Sequence, residues 1–122
     1  MKNPDIDGLM GRYCNHLNKL LSIQINMSIY LTALLKCKAG EAAQVKPLLL
    51  DLVAASLKEE ACLQYELYQD IENENQFIFH ETWQDAAGLE LHTQQPHYQQ
   101  FGQQVGPLLE EAPVLHKTQR IG

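Results

Sequence analysis

From Met27 onward, hydrophobic and polar positions fall into blocks whose repeat alternates between that of a strand and that of a helix. "MSIYLTALLKC" (Met27–Cys37) is β-rich and apolar on both alternate faces, which predicts a strand covered on two sides. "AGEAAQVKPLLLDLVAASLKEE" then turns helical, with Val45, Leu49, Leu52, Val53, Ser56 and Leu57 on one face. Gly40 marks the strand-to-helix turn. Pro47 must sit in the first turns or kink the helix, because it has no N–H to give to the carbonyl four residues back.

"ACLQYELYQD" (Ala61–Asp70) alternates, setting Leu63, Tyr65 and Leu67 opposite Cys62, Gln64 and Glu66. The polar "IENENQ" joins it to "FIFHETW" (Phe77–Trp83), which predicts a hairpin. After a turn at Gln84-Asp85 comes a short helix over "AAGLELH". Thr93 and Pro96 open another, with Tyr98, Phe101, Val105 and Leu108 as its apolar face. Pro113 ends that helix and "VLHKTQRI" is the last strand. Residues 1–25 read as an N-terminal extension in which Met10, Tyr13, Leu17, Leu20 and Leu21 recur at the spacing of a short amphipathic helix.

The order over residues 26–122 is thus β-α-β-β-α-β. It predicts an α+β, ferredoxin-like split βαβ domain, a four-stranded antiparallel sheet with helices on one face. Strands that are apolar on both sides need a cover on the other face as well. A second copy of the chain is the economical one, giving a homodimer with two facing sheets and a pocket in each half.

Charge and cysteine content narrow the function. The formal net charge is −6, with nine Lys and Arg in no cluster, a balance that repels a phosphate backbone and excludes nucleic acid as a partner. Three cysteines, odd in number and without a CxxC pair, read as reduced thiols rather than a disulfide framework. No apolar run is long enough to span a membrane, and the N-terminus lacks the apolar stretch of a secretory signal, so the expected location is the cytoplasm.

The chemistry is concentrated in "HETWQDAAGLELHTQQPHYQQF" (His80–Phe101), which holds three histidines, the only tryptophan, a tyrosine and a phenylalanine. His80-Glu81 is not the start of a zinc-protease HExxH, because position 84 is Gln and a strand sends the two side chains to opposite faces. His92 and His97 are five apart, which misses the i, i+4 ligand spacing, and no Cys or carboxylate cluster completes a tetrahedral set; no metal site is expected. There is no G-x-S-x-G elbow and no glycine-rich phosphate loop. His80 and His116, lone histidines on strands, read as structural or solvent-facing.

These residues carry a resemblance. "EEACLQYELYQD" followed by "FIFHETWQDAAGLELHTQQPHYQQF" is similar to the signature of the antibiotic biosynthesis monooxygenase family. That signature runs E-x-G-x-x-x-Y, then E-x-W-x-D, a small or apolar pair, and H-x-x-x-x-H-F/Y-x-x-F. It is read here onto Glu60, Tyr65, Glu81, Trp83, Asp85, Leu89, His92, Pro96, His97, Tyr98 and Phe101, with Cys62 where glycine is common.

The resemblance implies a dimeric α+β barrel and several possible activities. Some members oxidise quinols or polyketide phenols with dioxygen and no cofactor; one branch degrades haem; another processes a phosphorylated autoinducer. In the haem branch the catalytic tryptophan falls at His92 and the iron-ligating histidine near Gly102, neither of which serves. The implied function is therefore a cofactor-independent monooxygenase acting on quinols or small phenolic aromatics with dioxygen.

Direct reaction of a singlet phenol with triplet dioxygen is spin-forbidden, so an electron-rich phenolate must be made first. That requires a base near neutral pKa in a dry pocket. His92 is the candidate base, the alternative being a helix-end histidine bonded to a backbone carbonyl. Trp83, Tyr65, Glu81 and His97 are the candidate substrate-binding residues. Trp83 stacks on the ligand or is simply core, and Tyr65 orients a phenolic oxygen or closes the pocket. Glu81 fixes a histidine tautomer or is a locally paired carboxylate, and His97 touches the ligand or packs the following helix. Two other readings stay open. One is a dimeric module that binds a small molecule without turning it over. The other is an isomerase of a phosphorylated ligand, for which Lys36, Lys117 and Arg120 are the cationic anchors.

Overall fold

The computed structural model describes residues 27–122, so the extension over 1–25 lies outside the described residues. In chain order the elements are β1 (Ile29–Lys36), α1 (Ala42–Ser56), β2 (Cys62–Gln69) and β3 (Gln76–Trp83), then α2 (Ala86–Thr93), α3 (Pro96–Val105), a 3-10 turn (Gly106–Leu108) and β4 (Val114–Thr118). The sheet order is β2-β3-β1-β4 with every neighbour antiparallel, which is the α+β ferredoxin-like arrangement read from the sequence. No described helix is long and apolar enough to cross a membrane.

Alternation decides the two faces of the sheet. Leu31, Ala33 and Leu35 of β1 and Phe77, Phe79 and Trp83 of β3 are buried beneath the helices. Helix α1 sets Val45, Leu49 and Leu52 onto them, at the three- and four-residue spacing of one helical face. Each such side chain contributes about 1.5–3 kcal/mol on leaving water. The opposite face carries Tyr30, Leu34, Ile78 and Val114 among Thr32 and His80, none of them fully buried.

Local chemistry fixes the joints. Gly40 takes φ 85°, the left-handed region in which a Cβ is strained, and so turns the chain from β1 into α1. Pro47 lies inside α1, in its second turn, and leaves the Ala43 carbonyl without a helical donor. The β2–β3 turn is closed by side chains, with Glu72 N–H donating to Asp70 Oδ1 (2.8 Å) and Asn75 N–H to Asn73 Oδ1 (3.0 Å). Cys37 and Cys62 are free thiols, and burial pushes Cys62 up to about 11, so it stays protonated at neutral pH.

Three expectations are corrected. Leu63 does not share a face with Tyr65 and Leu67: the register slips between Cys62 and Gln64, and this bulge turns Leu63 outward at 57% exposure. Leu57 falls at the C-cap of α1 and is half-exposed. The last helix ends at Val105 rather than running to Pro113, because Pro107 has no N–H for the carbonyl four residues back. The chain tightens into the 3-10 turn there, and Leu109 bridges to Cys37.

Candidate active site

Between the sheet and helices α2 and α3 lies a small inner cavity of ≈ 80 Å³, walled largely by Leu31, Ala33, Leu35, Phe79 and Leu115. Its polar groups are few: Tyr65 from β2, Glu81 from β3, His92 and Thr93 from α2, and Tyr98 from α3. Each is placed by local structure. Tyr65 and Glu81 stand opposite each other in the β2–β3 register, on the buried side of the sheet. Helix α2 begins at Asp85, whose carboxylate accepts the Gly88 N–H at 2.7 Å. That cap orients the helix so that Gly88, Leu89 and His92 face inward. Gly88 lets it lie close to the sheet, since a Cβ there would sit 2.3 Å from Ala61 Cβ.

His92 is the centre of the arrangement. Only 2% of it is exposed, and its ring is surrounded by Trp83 (centroids 4.4 Å), Tyr98 (4.8 Å) and Tyr65 (5.8 Å). Nδ1 lies 2.7 Å from Glu59 Oε2, and the same oxygen lies 2.6 Å from His97 Nε2. A carboxylate only accepts, so both ring nitrogens are donors, and neutral His92 keeps its lone pair on Nε2. Nε2 is buried without a hydrogen-bond partner, a condition shared among the described side chains only by Ser56 Oγ. Burial lowers the His92 pKa more than the neighbouring Glu59 raises it, so the ring is neutral at physiological pH. The result is a desolvated imidazole with one nitrogen held by a carboxylate and the other free to take a proton.

Glu81 is a second perturbed group. Burial raises its pKa to about 7, against a smaller opposing effect of the Trp83 and Tyr65 donors. Its Oε1 accepts the indole N–H of Trp83 at 2.9 Å. Burial also raises the Tyr65 and Tyr98 phenols, with the Glu81 charge adding to it, so both remain protonated donors.

The sequence-predicted residues divide accordingly. His92, Trp83, Tyr65 and Glu81 come together. His97 does not reach the inner cavity; it sits in the first turn of α3 and faces an outer cleft of ≈ 600 Å³ shared with Glu59. The carboxylate that fixes the His92 tautomer is Glu59, not Glu81. The glutamate of the signature falls on Glu59 rather than Glu60. With three residues between the small residue and Tyr65, the small position is Ala61 and the glutamate is Glu59. Tyr98 and Phe101 line the cavity too. His80 is exposed on the other face, 3.4 Å from Thr32 Oγ1, and His116 is exposed on β4. Gly102 is exposed on α3 and offers no ligand to iron. The one set of three grouped metal-donor side chains among the described residues is Glu59, His92 and His97.

Comparison with known proteins gives this geometry a context. Residues 28–104 match the sequence model of a family described as antibiotic biosynthesis monooxygenase. A Bacillus subtilis protein, YcnE, whose name carries a provisional monooxygenase assignment, is 33% identical over 73 residues, covering 60% of this chain and 77% of that one. An uncharacterised Synechocystis protein is 29% identical over 75 residues; these are 62% of this chain but 51% of that protein, so the chain spans about half of it. The crystal structure of PA3566 from Pseudomonas aeruginosa superposes with a TM-score of 0.75 at 31% identity, covering 80% of this chain and 98% of that one.

Proposed function

This chain belongs to the antibiotic biosynthesis monooxygenase family, and we propose that it is a cofactor-independent monooxygenase of quinols or small phenolic aromatics, with dioxygen as co-substrate. The observation that carries this reading is His92: a buried imidazole whose Nδ1–H is held by Glu59 while Nε2 stands unpartnered among aromatic rings. A phenol placed against Nε2 gives up its proton to it, and the imidazolium is stabilised by the adjacent carboxylate. The phenolate passes one electron to dioxygen, and the radical pair recombines at ring carbon. Breaking the O–O bond leaves one oxygen on the ring and releases the other as water, together with the two hydrogens lost from a hydroquinone. The net change is hydroquinone plus dioxygen to hydroxyquinone plus water. In this scheme Glu81, which keeps its proton up to about pH 7, supplies it to the departing oxygen. Tyr65 and Tyr98 orient the phenolic oxygen, and Trp83 supports the His92 ring.

The inner cavity is about half of the roughly 150 Å³ that holds benzene in a dry protein interior. It accommodates dioxygen directly, whereas a one-ring quinol needs the rim of Phe101, Pro113 and Leu115 to move outward. Leu115 is already 50% exposed on the edge strand. Among the described residues that line the cavity none is a Lys or Arg, so none of them favours a phosphorylated ligand.

In this reading the chain is cytoplasmic and a homodimer; the dimer is supported by Tyr30, Leu34, Ile78 and Val114, which form an apolar patch on the open sheet face among the described residues. Light scattering should return twice the mass of one 13.9 kDa chain, and a monomer mass would remove the dimer.

The direct test is oxygen uptake by metal-free protein with a panel of hydroquinones, measured against autoxidation. His92→Ala should lower the rate by roughly 10²–10⁴. Binding of the same quinols with no His92-dependent uptake would instead leave a non-catalytic binding module.

A further inference from the structure

The geometry points to a second capacity of the same histidines: we propose that Glu59, His92 and His97 form a divalent transition-metal site of zinc type, opening on the outer cleft. Each residue offers one donor atom, and the three lie within 4.8 Å of one another. The sequence spacing of five excludes His92 and His97 from one helical face, but they do not share a helix. The chain breaks at Gln94 and Gln95 between α2 and α3, and the break turns both rings onto one carboxylate oxygen, at 2.7 and 2.6 Å.

Two N–H groups converging on one oxygen occupy the place of a single cation. A metal ion replaces both protons at once, and each neutral ring moves its proton to its other nitrogen, Nε2 in His92 and Nδ1 in His97. Two imidazoles and one carboxylate are the donor set of open zinc sites, with water as the fourth ligand. The set is wrong for magnesium and calcium, which take oxygen. Tetrahedral donors at zinc bond lengths stand about 3.4 Å apart, so the two N···O pairs, at 2.7 and 2.6 Å, each open by less than ~1 Å. The space for this is on the cleft side: Glu59 and His97 line the ≈ 600 Å³ cleft, which supplies the entry path and room for a bound water. Among the described residues of the same wall the carboxylates of Glu60 and Asp85 outnumber the one cation, Lys58.

Such a metal would act on the inner cavity. With Nδ1 coordinated, the His92 proton resides on Nε2, and the nitrogen read above as the base becomes a donor instead. Zinc thus silences the enzyme. This consequence rests on the reading of His92 as the base, whereas the site itself does not.

The test is a titration of the metal-free full chain with Co²⁺, followed by its visible d–d absorption, and with Zn²⁺ against a chromophoric chelator. One tetrahedral ion per chain is expected, and His97→Ala should weaken it by more than roughly 100-fold, since even outer partners of a ligand cost 10–100-fold. His80→Ala and His116→Ala should leave it unchanged. Nitrogen-15 histidine NMR of the unmodified chain, with and without Zn²⁺, serves if a variant does not fold: the His92 proton should move from Nδ1 to Nε2. Failure to hold Zn²⁺ against the chelator, or affinity unaltered in His97→Ala, overturns the site. Given an active quinol, Zn²⁺ should stop oxygen uptake and the chelator restore it. Uptake that continues with the cobalt spectrum fully developed removes the silencing and leaves the site. If no quinol is turned over, the monooxygenase reading fails while absorption and NMR still decide the metal.

Discussion

Glu59→Gln should lower quinol-dependent oxygen uptake by up to roughly 10⁴-fold, the scale seen when the carboxylate behind a catalytic imidazole becomes an amide. The loss follows from tautomerism. Glu59 can only accept, so it keeps the His92 proton on Nδ1 and the lone pair on Nε2. Glutamine has nearly the same shape but presents N–H donors. One of these facing Nδ1 drives the ring proton to Nε2, where it blocks proton abstraction. The negative charge that stabilises the imidazolium is lost at the same time. KM should change little, because the quinol never touches residue 59, so the split between kcat and KM separates this effect from a damaged pocket. Nitrogen-15 NMR of the His92 ring reads the tautomer directly. Activity within about tenfold of the unmodified protein, with His92 still required, would show that Glu59 is only a packing partner.

Glu81→Gln should stabilise the fold at alkaline pH and leave it unchanged in acid. Burial raises the Glu81 pKa from 4.5 to about 7, so the native state holds a proton that the unfolded chain has released across this interval. Stability from this group is therefore fully present below pH 4.5 and is lost as pH rises through 7. The shift corresponds to roughly 3 kcal/mol, at 1.36 kcal/mol per unit. Glutamine retains an oxygen for the Trp83 indole N–H and has no charge to desolvate. Urea unfolding of both proteins at pH 4 and pH 8 checks it: the curves should coincide at the lower pH and separate by about 2–3 kcal/mol at the higher. Equal stability at pH 8 would mean that Glu81 ionises without penalty, and with it would go the role of proton donor.

Much of this molecule is legible in one dimension. The apolar runs Met27–Cys37 and Phe77–Trp83 announce strands, and the structure buries one side of each, Leu31, Ala33 and Leu35 on the first and Phe77, Phe79 and Trp83 on the second. Val45, Leu49 and Leu52 announce the covering helix in the same way. Asp85 and Pro96 mark two helix starts by capping chemistry that needs no tertiary partner. Where such local rules failed, the cause was also local. A bulge displaced Leu63, and a proline without an N–H ended α3 early.

The candidate site is different in kind. His92 was visible as a residue type in a motif, but its chemistry depends on a carboxylate 33 positions earlier in the chain. No periodicity relates a loop residue such as Glu59 to a helix residue such as His92. Nor does spacing reveal that His97, five residues on, returns to the same oxygen from a different helix. Periodicity by itself determined the elements, their order and the antiparallel sheet, because those follow from backbone geometry and the alternation of apolar side chains. Only the tertiary structure decided which nitrogen of His92 is free, that Glu81 is held near neutrality, and that His97 belongs to the outer cleft. Those properties arise from desolvation and from hydrogen bonds between distant segments, which exist only once the chain has packed.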